Sequence, residues 1–255
     1  MESPVRVTLI ANTGLLLQYR DTTLLLDGLY GEGGHLFSTP SPGTMDKLFQ
    51  GLPPFEKIDY LLFSHAHSDH FSPALTMEFL RHRRVKGVLL PDAPKVRESG
   101  LPEYLRENDF PYFLLTDNLS QTTFPVSADI TVQAIKTLHL DKEYWNDLHF
   151  CHLISFGAKK VLFTADADYT MESFDFVKDT PLSAVFLNPL FFSALCRGRF
   201  FTGSFRAENT CIYHVPFSGD EKTSIRQDLA RTLQAWPAEK KKPIVLWDEL
   251  QTIEL

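Results

Sequence analysis

The stretch "LLFSHAHSDHFSP", residues 61–73, sets three histidines and an aspartate within six positions directly behind an apolar run. Imidazole nitrogens and carboxylate oxygens are ligands for zinc, iron and manganese, and a catalytic zinc site keeps one coordination position open for water. His65 and His67 lie two residues apart, so in extended backbone they project to the same side and can grip one ion. Asp69 and His70 are adjacent, so a turn there directs them elsewhere, towards a second ion. The plain alternative is a set of surface histidines at a helix start, with Asp69 complementing the N-terminal dipole. Such a set gives no reason for crowding three of the chain's nine histidines into this one segment.

The surroundings define where the motif sits. Upstream, "IDYLLFS" (58–64) has the length and apolarity of a strand; downstream, Ser72 is an N-cap and Pro73 the first helical position of "ALTMEFLRHRR" (74–84). Before it, "VRVTLI" (5–10), "LLLQY" (15–19) and "TTLLLDG" (22–28) predict strands, the last two joined as a hairpin at Arg20-Asp21. A Gly/Pro-rich loop (28–44) and a short helical stretch separate that hairpin from the motif. "VKGVLL" (85–90) and "PYFLLT" (111–116) predict strands flanking a helical "KVRESGLPEYLREN" (95–108).

The second half repeats this plan. "ITVQAIKTLH" (130–139) is a strand, and "HFCHLISFGAKKVLFTADAD" (149–168) a hairpin turning at 157–160 and ending in aspartate as "TTLLLDG" does. A helix (171–179), strands at 183–189 and 210–217, a helix (222–236) and a strand (243–249) complete it. The expectation is an α/β protein: two mixed sheets packed face to face with helices outside, a four-layer αββα sandwich. It is read as a single domain, residues 1–255, of two repeated halves at about 1–118 and 119–255, whose loops share one edge.

Composition narrows the function. A 255-residue chain with 44% hydrophobic residues can bury a sizeable core, and a formal charge of −7 disfavours a nucleic-acid surface, which needs clustered Lys and Arg. The basic runs "RHRRVK" (81–86) and "KKK" (240–242) are read as complements to helix C-terminal dipoles. The N-terminus lacks the pattern of a secretory signal, and "AVFLNPLFFSAL" (184–195) falls short of the ~20 apolar residues of a membrane span. Cys151, Cys196 and Cys211 are odd in number and widely spaced, which fits reduced, packed thiols in a cytoplasm better than disulfides.

The HxHxDH pattern of His65, His67, Asp69 and His70 resembles the signature of the metallo-β-lactamase superfamily, and the likeness extends along the chain. An opening hairpin ends in Asp27, a lone His139 precedes a second hairpin, Asp166 ends it, and His214 lies near the C-terminus. The resemblance implies that His65, His67 and His139 bind a first metal, that Asp69, His70 and His214 bind a second, and that Asp166 bridges them. It also implies that Asp27 accepts a hydrogen bond from a ligating histidine and fixes its tautomer. His139 is preferred to His149 and His152, which lie inside the next strand and read as packing or polar-face residues. Ala165 stands where the family usually has glycine, and Asp168 is an alternative supporting partner; His35 and Tyr30, in the Gly-rich loop, are candidates for the pocket border. No role is read for His82.

The implied cofactors are two divalent ions, Zn2+ first, with Mn2+ or Fe2+ as alternatives. Zinc-type coordination brings the pKa of bound water from 15.7 to about 7, so hydroxide is available at neutral pH, with Asp69 able to orient it or accept a proton. The two ions outweigh Asp69 and Asp166 in charge, which suits a small anionic substrate. The expected function is therefore a dinuclear metal-dependent hydrolase acting on a small ester, lactone or phosphodiester, similar in length and motif to the ascorbate-6-phosphate lactonase-like and uncharacterised hydrolase branch. Three alternatives stand beside it: an RNA-processing phosphodiesterase of the same superfamily, an iron-dependent sulfur or oxygen oxidoreductase on the same scaffold, and a non-catalytic metal-binding module. Neither nucleic acid nor membrane is expected as a partner.

Overall fold

Leu15 and Leu17 point to one side of their strand and Leu16 to the other; Leu24 and Leu26 join the first side and Leu25 the second, and all are buried. Strands apolar on both faces must be covered on both. The computed structural model of the chain describes residues 3–31, 33, 35–169, 171–192 and 205–255, and it supplies two different covers. Within the second half, Val161 and Phe163 face the same core as Leu15 and Leu24, whereas Leu162 faces away into another cluster.

The first sheet is built from β1 (Arg6–Ala11), β2 (Gly14–Tyr19), β3 (Thr22–Leu26), β4 (Tyr60–Leu62), β5 (Gly87–Pro91) and β6 (Tyr112–Leu115). The second contains β7 (Gln121–Pro125), β8 (Ile130–Thr137), β9 (His149–Phe156), β10 (Lys159–Phe163), β11 (Leu182–Leu187), β12 (Ala207–Ile212) and β13 (Ile244–Val245). The last strand, β14 (Thr252–Glu254), returns to the first sheet and pairs antiparallel with β1. Among the described residues the orders are β14-β1-β2-β3-β4-β5-β6 and β13-β12-β11-β10-β9-β8-β7. Each sheet has an antiparallel part followed by a parallel part, β3 to β6 in one and β10 to β13 in the other. The two sheets thus share one order of pairing, antiparallel strands first and parallel strands after.

Helices α1 (Pro42–Gln50), α2 (Pro73–His82), α3 (Pro94–Arg97) and α4 (Leu101–Glu107) cover the outer face of the first sheet through Leu48, Phe79, Val96 and Leu105. Helix α5 (Ile225–Gln234) covers the second through Leu229 and Leu233. The result is the expected αββα sandwich. Ser72 caps α2 by accepting a hydrogen bond from the Leu75 N–H, with Pro73 in its first turn. Among the described residues, no helix is long and apolar enough to cross a membrane.

Several local expectations change. The helix read over 95–108 is two, because Gly100 adopts a left-handed φ of 76° between them. Residues 171–177 form a 3-10 helix, in which Phe174 and Val177, three apart, are both buried. Strand β12 begins at Ala207 with polar Glu208, Asn209 and Thr210, so its apolar part alone was visible in the sequence. The "KKK" run lies beyond the end of α5, and its Lys241 bonds the Glu208 carbonyl and Asn209 Oδ1 at the start of β12 rather than a helix end. The reading of "RHRRVK" holds: Arg81 and His82 lie in the last turn of α2, and Arg83 donates to the Leu48 carbonyl in the last turn of α1 as well as to the carbonyls of Phe55 and Glu56. Cys151 and Cys211 are free and buried, while Cys196 lies outside the described residues.

Candidate metal centre

Four strand ends meet at one edge of the sandwich. β3 delivers Asp27, β4 the loop from Ser64 to His70, β10 the turn carrying Asp166, and β12 His214; His139, just past β8, pairs with Ala167 by an isolated bridge. Open sheets of this kind place ligands beyond the carboxyl ends of parallel strands. The chain bends sharply there: Asp27, Ala165 and His214 have φ of 47°, 46° and 61°. Left-handed backbone at non-glycine residues persists where the surroundings enforce it, and such residues gather at functional sites.

The seven residues singled out from the sequence come together as two groups, His65, His67 and His139 in one, and Asp69, His70, Asp166 and His214 in the other; within each, one donor atom per residue lies within 4.8 Å of the rest. Asp166 lies between the groups. Its Oδ2 is 3.9 Å from His65 Nε2, 3.8 Å from His139 Nε2 and 3.2 Å from His70 Nε2, and its Oδ1 is 3.2 Å from His214 Nε2. Asp69 Oδ2 lies 3.4 Å from His214 Nε2 and 3.7 Å from His70 Nε2.

Buried polar atoms normally find partners. Here Nε2 of His65, His139 and His214 and Oδ2 of Asp69 are buried without a hydrogen bond, although each faces other donors of the cluster. A cation in each group would satisfy all four, so the residues fit a two-metal centre. Charge is arranged to match. Burial raises the carboxyl of Asp166 and the imidazoles of His214 and His70 outweigh it, holding Asp166 well below the usual range. Asp69 falls to about 2 for the same reasons, against the same burial penalty. Burial lowers His214, but Asp166 and Asp69 overcome it and raise the imidazole to about 9. Burial dominates in the other group: it depresses His65 well below its ordinary value and His139 to about 4, leaving neutral rings with a lone pair to donate.

A layer of supporting bonds orients the donors. Asp27 accepts from His70 Nδ1 at 2.9 Å, as the resemblance implied, and from the Ser64 N–H and hydroxyl at 2.8 and 2.5 Å. The Ser64 hydroxyl in turn lies 2.9 Å from His65 Nδ1, so one carboxylate sets two rings. Asn188 Nδ2 donates to Asp166 Oδ1 at 2.7 Å, and the Asn12 amide lies 3.0 Å from His214 Nδ1. His149 is a correction: its Nε2 accepts the Asp166 N–H at 3.1 Å, so it supports the hairpin end besides packing in β9. His152 has no such contact, and its buried Nε2 is unpartnered.

Ser64, Asn12, Asn188 and His149 were not read as site residues. Asn188 had a legible signal, a polar residue ending the apolar "SAVFLN". His35 lines the 400 Å³ pocket over the cluster together with Phe37, Tyr144 and Asn188. Tyr30 does not; it is fully buried and donates to the Ser38 carbonyl.

No family model matches the sequence. Among curated proteins, the chain is 29% identical over 160 residues to the 4-amino-L-phenylalanyl-(CmlP-peptidyl-carrier-protein) 3-hydroxylase of Streptomyces venezuelae, a match covering 62% of this chain and 28% of that protein. The structure of CmlA, a diiron β-hydroxylase from Streptomyces venezuelae, superposes with a TM-score of 0.63 at 22% identity, covering 100% of this chain and 54% of that one. Igni18, a metallo hydrolase from Ignicoccus hospitalis, superposes with a TM-score of 0.60 at 13% identity over 99% of both chains. This chain therefore spans about half of the length of the diiron hydroxylase structure and the full length of the hydrolase, and its sequence match covers 28% of the curated hydroxylase. Fold and ligand cluster together define the class: a metallo-β-lactamase-type αββα sandwich with a candidate dinuclear metal centre at its edge.

Proposed function

We propose that this protein is a metal-dependent hydrolase of a small ester, lactone or phosphodiester, and that it works with two divalent ions, zinc foremost. The observation that carries the reading is the first ligand group. It consists of three imidazoles with no carboxylate of its own, Asp166 being shared with the second group. Three histidines form one of the known ligand sets of catalytic zinc, and the set differs from the two histidines and one carboxylate of the facial-triad iron oxygenases. In this reading His65, His67 and His139 hold one ion, Asp69, His70 and His214 the other, and Asp166 touches both. When bound, such ions lower the pKa of water and polarise a carbonyl or phosphoryl oxygen.

The chain's own groups do the rest. Asp69 Oδ2, buried and without a hydrogen bond, is placed to orient the attacking water as an ionised acceptor. Asn188 keeps Asp166 in place, and the pocket of 400 Å³ admits a small molecule, with Tyr144 and Phe37 as apolar walls. An RNA substrate is disfavoured by the −7 charge and by the engagement of Arg81, Arg83, Arg84 and Lys86 with acids and carbonyls of the protein. The two buried free thiols support a reducing compartment, the cytoplasm.

A second reading, an iron-dependent hydroxylase, is favoured by the sequence match over 62% of this chain to the Streptomyces hydroxylase and by the likeness in fold to a diiron β-hydroxylase. Elemental analysis of the purified protein, joined to assays on lactones, phosphodiesters and thioesters with and without chelator, separates the two. Two zinc or manganese ions and chelator-sensitive hydrolysis are expected; iron with oxygen consumption and no hydrolysis would move the protein to the second reading.

A further inference from the structure

His65, His70 and His214 each have the ring nitrogen remote from the cluster engaged, by Ser64, Asp27 and Asn12. His67 is engaged too, but by a residue from outside the buried scaffold. Its Nε2 lies 2.9 Å from Oδ2 of Asp147, on the loop between β8 and β9. At 24% and 50% side-chain exposure, the pair would count for little as a surface ion pair. Its place gives it another meaning. The His67 ring packs 4.5 Å from His65 and 4.6 Å from His139, centroid to centroid, so it belongs to the first group while Asp147 holds it from the solvent side.

Neutral imidazole carries one proton and one lone pair. A carboxylate only accepts, so the bond to Asp147 requires the proton on Nε2 and leaves the lone pair on Nδ1. Asp147 itself is held in place. The 3-10 turn Lys142–Tyr144 is closed by Tyr144 N–H donating to the Asp141 carbonyl, and Asp147 N–H donates to the Tyr144 carbonyl, both at 2.9 Å. Tyr144 stands edge-on to His67 at 4.6 Å and to His139 at 5.1 Å, so the same turn braces both rings.

We propose that Asp147 is the positioning residue of His67: it accepts the Nε2–H, fixes the tautomer and orients Nδ1 as the donor that His67 gives to the first metal. The inference rests on the metal-centre reading above. It also ties that metal to the groove of 860 Å³ beside it, which Asp147 lines together with His67, Trp145 and Lys95.

Zinc titration against a chromophoric chelator tests it on the full chain, for the unmodified protein, Asp147→Ala and Asp147→Asn. Carboxylates that orient a ligating histidine affect affinity about 10- to 100-fold. Asp147→Ala should weaken one of the two zinc ions by that factor and leave the other unchanged. Asp147→Asn, whose amide oxygen still accepts the Nε2–H, should recover most of the loss. The melting point of the chelator-treated protein should be the same for all three. Equal zinc affinities in the Ala variant would overturn the proposal, as would an Asn variant as weak as Ala or a fall in the metal-free melting point that explains the loss. Should the unmodified protein bind no zinc, the metal-centre reading falls first, and the inference with it.

Discussion

Ala165 holds a φ of 46° immediately before Asp166, with its N–H bonded to the hydroxyl of buried Tyr213. A left-handed alanine costs roughly 1–2 kcal/mol relative to its ordinary conformations, and glycine escapes that cost. Alanine at the position where the resemblance implied glycine is therefore a strained corner that the fold enforces. Ala165→Gly should stabilise the protein by about 1 kcal/mol, part of the relief being offset by the extra freedom of glycine in the unfolded chain. A higher denaturant midpoint at unchanged slope would show it; a lower midpoint would mean that the methyl group matters more than the backbone. His152 supplies the pH dependence. Burial depresses its pKa to about 4, with Asp27 opposing. The folded state keeps this ring neutral while the unfolded chain protonates it near 6.5, so its contribution is fully present above that pH and is lost as pH falls towards 4. The loss is on the order of 3 kcal/mol for a shift of this size. Comparing chelator-treated wild type and His152→Leu between pH 7 and 4 isolates it, because the titration of the ligand cluster is common to both; parallel curves would contradict the assignment.

At the scale of elements, α1 ends at Gly51, whose φ is 68° and whose N–H donates to the Lys47 carbonyl. A Cβ added there would lie 2.5 Å from Arg83 Nη1, and that guanidinium is pinned by three carbonyls. Gly51→Ala should thus cost about 2 kcal/mol or more, through strained backbone and a displaced arginine, without touching the ligand cluster. Thermal melting combined with metal content checks this: lower melting at full occupancy is expected. Elements like these explain what the sequence made legible. The Ser72-Pro73 start of α2 and the apolar runs of β1 to β5 declare themselves locally, through a cap and through burial on both faces. β7 and β14 do not. β7 is an alternately exposed edge strand rich in Gln and Thr, and β14 has three residues, so neither presents an apolar run to read.

Across the whole molecule, the candidate ligand cluster was legible because HxHxDH is chemically specific and because each remaining donor follows a strand. Its supports were not. Asp147 reaches His67 across 80 positions, and Asn12 reaches His214 across 202, contacts that exist only once sheet order is set. His149 was underrated for the same reason: it lies opposite Thr137 across the β8–β9 ladder, and only that register turns its ring to the Asp166 backbone. The shared order of pairing explains why the donors converge. Each sheet changes from antiparallel to parallel at the strand that ends in a key aspartate, β3 at Asp27 and β10 before Asp166.

The return of β14 brings Val5 and Leu255 into mutual backbone hydrogen bonds of 3.2 and 2.9 Å. A few residues of linker could therefore close the polypeptide into a ring, and the Gly157-Ala158 turn, at the tip of the β9–β10 hairpin, is a place to cut it open again. Such a circularly permuted protein should keep its circular dichroism spectrum and its metal stoichiometry. Failure to fold would instead mark the β9–β10 connection as one that must form early, before the sheets can meet.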